Sequence, residues 1–186
     1  EGGVFVTDDD EIYAAARSRS AFGVRSAWDR QSASALPIPV FSELGYNYKL
    51  SDIQAAIAVV QLDRLNGLIA RRNEIASTYT ELIEPIDGVA APVVAPGNLH
   101  SWQAYVVRID PPLNRDRIAM FLRERGVQSN IGTFALHIQP QYGGGQECPV
   151  SAELFARHLA IPMHADLTGA EIERVVGTLR AAVGET

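Results

Sequence analysis

The sequence predicts an α/β protein, because strand-like patterns alternate with helical ones. Residues 3–7 form a β-branched and aromatic run, and residues 9–20 follow with apolar side chains at helical spacing. A second helical pattern, of about 30 residues, begins at Ser51. From residue 100 onward the patterns follow in the order β–α–β–α–α, which is typical of a small α+β domain.

Composition and charge narrow the class of protein. The 186 residues are 47% hydrophobic and 20% charged, as is usual for a globular chain. The formal net charge of -6, without a basic stripe, argues against nucleic acid or an anionic membrane as the main partner. Cys148 is the only cysteine, and neither a signal peptide nor an apolar run of about 18 residues is evident. We therefore expect a cytoplasmic protein.

The first 50 residues have the pattern of the end of a larger unit. The run at 3–7 predicts a buried strand that is closed by an acidic turn, and Asp9 begins a helix that extends to Ser20. Residues 21–44 lack a sustained period and predict a long loop of the kind that often carries function. Because the chain starts without Met, directly in a strand pattern, we expect it to be part of a longer protein.

The helix start at Ser51 is the best defined in the chain. Ser51 and Gln54 form a capping-box pattern, and Asp52 complements the positive end of the helix dipole. The turn at 45–49 should therefore lie against a helix N-terminus, where anions bind readily. The helical pattern continues to Ile83, which suits a helix that bridges domains or lines a dimer interface. The alternative is two ordinary core helices with a break at Gly67.

The remaining patterns predict the elements of the C-terminal part. They are a strand at 102–109, a helix capped by Asn114 and stopped by Gly126, a strand at 127–131, an irregular segment at 132–149, a short helix from Ser151, and a final helix with a Thr168/Glu171 capping box.

With these elements in place, the chain resembles the nucleotide-sugar aminotransferases of the DegT/StrS type. The motifs that carry the resemblance occur in the family's order along essentially the whole chain: Glu1-Gly2-Gly3 with Thr7-Asp8-Asp9, Gly45-Tyr46-Asn47-Tyr48-Lys49-Leu50 with Gln54-Ala55-Ala56, Trp102 to Arg108, His137-x-x-Pro140-x-Tyr142, and Leu159 to Met163.

The resemblance implies the C-terminal part of a pyridoxal-phosphate-dependent transferase of the aspartate-aminotransferase fold. Residues 1–50 would finish the large cofactor domain, residues 51–84 would form an inter-domain helix, and residues 85–186 would form the small α+β domain. The family's Schiff-base lysine lies just before the Glu1-Gly2-Gly3 segment, so the resemblance implies no catalytic residue in this chain. The chain alone should then not transaminate. Lys49 is the only lysine, but it stands where the family usually has Arg.

The resemblance also implies binding residues and partners. Asn47 would donate to the phosphate of pyridoxal 5'-phosphate (PLP) bound in the other subunit of a homodimer with shared active sites. Candidate contacts to the nucleotide-diphosphate sugar are Lys49, His137, Tyr142, Arg25 and Trp102. Each has a plain alternative: an ordinary turn residue for Asn47, solvated surface or structural positions for the others, and a core position for Trp102 or for Trp28.

The implied reaction is the transfer of an amino group from glutamate to a keto sugar on a nucleotide diphosphate. Phe22 and Gln103 stand where many relatives have His, which leaves the sugar open. A PLP-dependent sugar dehydratase, with His in the place of the missing lysine, is the alternative within the family. A non-catalytic dimerisation or sensing module is the alternative of another class. The remaining histidines, His100, His158 and His164, show no metal-ligand spacing with one another, so no metal is predicted.

Overall fold

A computed structural model of the chain describes residues 2–24, 39–142 and 147–185. The chain forms two compact units, Glu1–Arg64 and Leu65–Thr186. The predicted domain boundaries at residues 50 and 84 stay a prediction. The boundary between the two compact units lies elsewhere, between Arg64 and Leu65, inside a helix.

The first unit contains helix α1, Asp10–Ser20. The side chain of Asp9 caps it by accepting from the backbone N–H groups of Glu11 and Ile12, at 2.9 and 3.0 Å. Asp10 and Glu11 lie in the first turn and Arg17 and Arg19 in the last, which suits the helix dipole. The predicted helix is confirmed.

The predicted strand at residues 3–7 is wrong for the described part of the chain. Residues 2–7 pair with no other strand there, and Val4, Phe5 and Val6 are 79%, 63% and 83% exposed. Their β-branched and aromatic composition favours extended backbone, but a strand needs hydrogen-bonded neighbours, and this segment has none among the described residues.

Helix α2 spans Asp52–Ile83 and belongs to both units. It continues through Gly67, where the two-helix alternative placed a break. The capping box is confirmed: Ser51 N–H donates to Gln54 Oε1, and Gln54 N–H donates to Ser51 Oγ, both at 3.3 Å. Among the described residues no single helix has the length and apolarity to span a membrane, although the segments Asp52–Asp63 and Leu65–Ile83 meet both criteria when taken together.

The second unit is built on a four-stranded antiparallel sheet. Its strands are β1 (Val89–Ala90), β2 (Tyr105–Ile109), β3 (Asn130–Ile131) and β4 (His158–Ile161), in the order β1-β2-β4-β3. The central pairing aligns Tyr105 with Ile161 and Val107 with Leu159.

One face of this sheet carries the hydrophobic core. Tyr105, Val107 and Ile109 alternate along β2 and are buried, whereas Arg108 is exposed. The helices that cover the core are the C-terminal half of α2, α3 (Arg115–Glu124) and α5 (Gly169–Glu185), which contribute Ile75, Tyr79, Ile118, Leu122, Val176 and Leu179. The second unit thus has a hydrophobic core, and the C-terminal half of α2 contributes to it.

The caps in this unit follow the sequence patterns. Asn114 accepts from the N–H groups of Asp116 and Arg117 at 3.0 Å, and Gly126, at φ 73°, follows the end of α3. Thr168 and Glu171 form the predicted capping box of α5, with Glu171 Oε2 accepting from Thr168 N–H at 2.9 Å. Helix α4, Pro149–Arg157, begins two residues before Ser151, because Pro149 suits the first helical position.

The strand predictions are less accurate. The strand predicted at 102–109 begins at Tyr105, because Trp102 has a φ of 49°, which is left-handed and not extended. The strand predicted at 127–131 is reduced to Asn130–Ile131. Strands β1 and β4 were not predicted as strands, since runs of two to four residues carry little periodicity.

Candidate functional site

The turn at 45–48 is hydrogen-bonded to the end of α1. Tyr46 N–H donates to Arg19 O at 2.6 Å, Phe22 N–H donates to Tyr46 O at 2.9 Å, and Tyr48 N–H donates to Ser20 O at 2.9 Å. Gly45 approaches so closely that a Cβ there would overlap the backbone of Phe22 and Gly23. The two segments therefore form one fixed platform.

Asn47 lies on this platform with its side chain open to solvent. It forms an isolated antiparallel bridge with Ala21, which is buried. Within the described residues no hydrogen bond engages the Asn47 amide, and the residue is exposed. Tyr46 and Tyr48 stack on each other, with ring centroids 5.1 Å apart and planes 7° apart.

Lys49 contacts an aromatic ring. Its Nζ lies 3.9 Å from the centroid of the Phe22 ring, a cation–π distance. Lys49 is exposed, and it lines an open groove of about 930 Å³ together with Gly3, Arg19, Tyr48 and other residues of the first unit. The Arg19 guanidinium in this groove is paired with Glu43 at 3.0 Å. In this groove Arg19 is thus paired with a carboxylate, whereas Lys49 contacts the neutral ring of Phe22.

The N-terminus of α2 is occupied by its own side chains. Ser51 Oγ accepts from Gln54 N–H, and the Asp52 carboxylate lies in the first turn. An anion held by this part of the chain would therefore rely on Asn47 and Lys49 more than on the free helix end that the sequence predicted.

His137 and Tyr142 lie on one segment of the second unit. This segment leaves β3 with Gly132 N–H bonded to His158 O at 3.1 Å and continues through two 3₁₀ turns, Leu136–Ile138 and Pro140–Tyr142. His137 is half-buried and Tyr142 is 59% exposed. Both polar groups are thus open to a ligand from the same short stretch of chain.

Trp102 is placed in the core. It is 6% exposed, its indole N–H donates to Asn73 Oδ1 at 2.9 Å, and its ring stacks on Tyr105 with centroids 5.4 Å apart. The N–H of Trp102 donates to His100 Nδ1 at 2.9 Å. This setting matches the core alternative for Trp102, and its substrate role stays a prediction.

Arg25 and Trp28 fall outside the described residues. Among the described residues, no group of three or more His, Cys, Asp or Glu side chains is arranged to hold a metal ion.

Sequence reasoning missed the contact of Phe22 with Lys49 and the contact of Asn73 with Trp102. In the sequence, Phe22 was noted only because many relatives have His at its position. No local sequence pattern indicates either contact, because each joins residues more than two dozen positions apart. Each contact also involves a residue with a positive φ, 63° at Phe22 and 49° at Trp102.

Solved structures with this architecture include several aminotransferases. The chain matches an aminotransferase TlmJ from Streptoalloteichus hindustanus with 28% identity and a TM-score of 0.84, over 96% of this chain and 46% of that one. It matches a DegT DnrJ EryC1 StrS aminotransferase from Brucella abortus with 28% identity and a TM-score of 0.77, over 94% and 44%. The PLP form of the putative sugar aminotransferase Spr1654 from Streptococcus pneumoniae, at 21% identity and a TM-score of 0.81 over 96% and 45%, shares the fold.

The chain spans a little under half the length of these solved structures, which confirms the prediction of a mixed α/β fold that corresponds to the C-terminal portion of such enzymes. A sequence model of the DegT/DnrJ/EryC1/StrS aminotransferase family matches residues 1–180. The chain therefore belongs to the DegT/DnrJ/EryC1/StrS aminotransferase family.

Proposed function

We propose that the complete protein is a PLP-dependent aminotransferase that transfers an amino group from glutamate to a keto sugar of a nucleotide-diphosphate sugar. It would act as a homodimer with shared active sites. The observation that carries the proposal is the Asn47 amide, which is exposed and without a partner among the described residues, on a backbone platform fixed to α1 in a chain of this family.

The residues on this platform fit a phosphate group. The Asn47 side chain offers two N–H donors, and Lys49 offers an ammonium on the same turn. Hydrogen bonds to a charged oxygen are stronger than those between neutral groups. Asn47 would therefore hold the PLP phosphate of the neighbouring subunit. When bound, PLP supplies the electron sink that aminotransfer needs.

Lys49 is assigned to anion binding and not to covalent attachment of the cofactor. A lysine that forms a Schiff base must first lose its proton, and burial in an apolar pocket favours that loss. Lys49 is exposed, and its Nζ lies 3.9 Å from the centroid of the Phe22 ring, so it is not buried in such a pocket. We assign the Schiff-base lysine to a part of the complete protein outside these residues.

The substrate contacts follow from the same chemistry. Lys49 would bind a phosphate of the nucleotide, and His137 and Tyr142 would hydrogen-bond the diphosphate or the sugar hydroxyls. Arg25 is proposed to face a substrate phosphate as well. Among these residues, Trp102 has the least support as a substrate contact, because its indole is buried.

The test uses the complete protein with PLP, glutamate and nucleotide-linked keto sugars. The expected result is an absorbance band of protein-bound PLP, together with formation of 2-oxoglutarate and an amino sugar in equal amounts. Loss of a sugar hydroxyl without amination would support the dehydratase instead. Absence of the PLP band would support the non-catalytic module.

Shared active sites can be tested by mixing two variants at a PLP concentration too low to fill a site that lacks the Asn47 amide, so that neither variant is active alone. One carries Asn47→Ala, and the other lacks the lysine that borohydride reduction identifies as the attachment point of PLP. If Asn47 serves the neighbouring subunit, mixed dimers contain one intact site and regain activity. Failure of every mixture to regain activity would contradict the shared arrangement, provided that size-exclusion chromatography shows dimers.

A further inference from the structure

The contact between Lys49 and Phe22 joins two residues that are distant in sequence. Lys49 Nζ lies 3.9 Å from the Phe22 ring centroid, inside the range of about 6 Å over which an aromatic face attracts a cation. Phe22 is 47% exposed, so the ring faces both the ammonium and solvent.

The backbone holds the Phe22 ring in this position. Phe22 has a φ of 63°, in the left-handed region that non-glycine residues rarely adopt. Its N–H donates to Tyr46 O at 2.9 Å, and the next N–H, of Gly23, donates to Ser18 O at 2.8 Å. An unusual backbone conformation that is held by its surroundings often marks a functional position.

The ring holds the ammonium without cancelling its charge. Within the described residues no carboxylate pairs with Lys49, whereas Glu43 pairs with Arg19 at 3.0 Å in the same groove. A lysine has a long flexible stem, and ordering it on binding costs free energy. A neutral partner that restricts Lys49 beforehand therefore leaves the cation available and lowers that cost.

We infer that Phe22 is a positioning residue that holds the Lys49 ammonium at the groove of the first unit for a phosphate of the nucleotide-linked substrate. The inference rests on the proposed function, which supplies a substrate with a diphosphate. Phe22 would thus favour an anionic group in the groove, and it would do so by holding Lys49 in place.

The experiment measures the binding of inorganic pyrophosphate to the complete protein by calorimetry. The protein is loaded with PLP so that the phosphate site of the cofactor is filled. Lys49→Gln should weaken binding most. Phe22→Leu should weaken it about two- to fivefold, the size of an exposed cation–π contact. Phe22→Tyr keeps the ring and should bind normally, as should the control Phe41→Leu, which removes another exposed ring of the same unit.

A double-variant cycle tests whether Phe22 acts through Lys49. In the Lys49→Gln background, Phe22→Leu should have no further effect on pyrophosphate binding. In steady-state kinetics Phe22→Leu should raise the KM for the nucleotide-linked substrate by the same factor and leave kcat unchanged. If Phe22→Leu lowers the melting temperature, Phe22→Asn replaces it, because Asn tolerates the left-handed backbone and has no ring.

Two results would overturn the inference: full pyrophosphate affinity in both ring-deleting variants, or an equal loss with and without Lys49. Pyrophosphate binding requires no turnover, so the two proposals fail separately. A protein that binds pyrophosphate as expected but aminates no sugar contradicts the proposed function alone. A protein that aminates normally, and whose affinity for pyrophosphate does not change when the Phe22 ring is removed, contradicts the role of Phe22 alone.

Discussion

The indole N–H of Trp102 donates to Oδ1 of Asn73 at 2.9 Å, and this bond fixes the start of β2 to helix α2. The amide of Asn73 also donates to Ile69 O at 2.8 Å and to His100 O at 3.1 Å. One side chain thus satisfies groups on its own helix and on the chain that enters the sheet. Because Trp102 is 6% exposed, water cannot readily replace Asn73 as the acceptor.

Asn73→Leu should therefore destabilise the protein by about 1–3 kcal/mol, the cost of a buried donor without a partner. Chemical denaturation measures this difference. In a Trp102→Phe background the same substitution should cost less, since the indole donor is gone. Asn66→Leu, at an exposed position of the same helix, is the control and should change stability by less than about 0.5 kcal/mol.

The same variants test the predicted substrate role of Trp102. If Trp102 is only a core residue, Trp102→Phe lowers the melting temperature and leaves the KM for the nucleotide-linked substrate unchanged. A raised KM at an unchanged melting temperature would support the substrate role instead.

Asn47→Ala should lower the affinity for PLP about tenfold or more, because hydrogen bonds to charged groups contribute about 1.5–3 kcal/mol. The exposed side chain has no partner among the described residues, so the melting temperature of the cofactor-free protein should not change. Titration of the PLP absorbance band measures the affinity. Asn98→Ala, at another exposed asparagine, is the matched control. Unchanged PLP affinity would leave Asn47 as an ordinary turn residue.

The elements that the sequence predicted best are those with local determinants. The caps at Ser51, Asn114 and Thr168 each depend on residues within three positions of the cap, and all three form as expected. The residues at 3–7 show the limit of local composition, because a strand also depends on partners that lie elsewhere in the chain.

The candidate site was predicted through motif resemblance more than through physical reasoning. Asn47 and Lys49 were predicted in this way and stay predictions, and the structure adds that the turn carrying them is hydrogen-bonded to the end of α1. The ring of Phe22 under Lys49 could not be predicted, because it depends on a left-handed φ and on a close approach of Gly23 to Gly45. Sequence patterns do not encode such non-local geometry.

Glu171 should make the stability of the protein depend on pH through its cap on α5. Hydrogen bonds from the backbone and side chain of Thr168 hold the pKa of this carboxyl below its ordinary value of 4.5. A lowered pKa in the folded state means that the contribution is complete above the unfolded value and is lost as the pH falls through the folded value. The melting temperature of Glu171→Ala should therefore lie below that of the wild type at pH 7, and the difference should shrink below about pH 4.5.

Glu173→Ala is the control for Glu171, since it lies on the same helix and takes no part in the cap. Its difference in melting temperature from the wild type should not follow the same pH dependence. A Glu171→Ala difference that stays constant from pH 7 to acid would show that the ionised cap does not stabilise α5.

Two glycine-to-alanine substitutions should change stability in opposite directions. A Cβ at Gly45 would overlap the backbone of Phe22 and Gly23, so Gly45→Ala must displace the platform and should cost about 1–3 kcal/mol. Gly67 lies inside α2, and a methyl group there would meet nothing within 4 Å, so Gly67→Ala should stabilise by about 0.5–1 kcal/mol through helix propensity. Denaturant titration of the complete protein measures both.

Because the platform carries Asn47 and Phe22, Gly45→Ala should also weaken the binding of PLP and of pyrophosphate, and Gly67→Ala should weaken neither. Tolerance of alanine at position 45 with normal binding would mean that the turn and the end of α1 need not approach so closely.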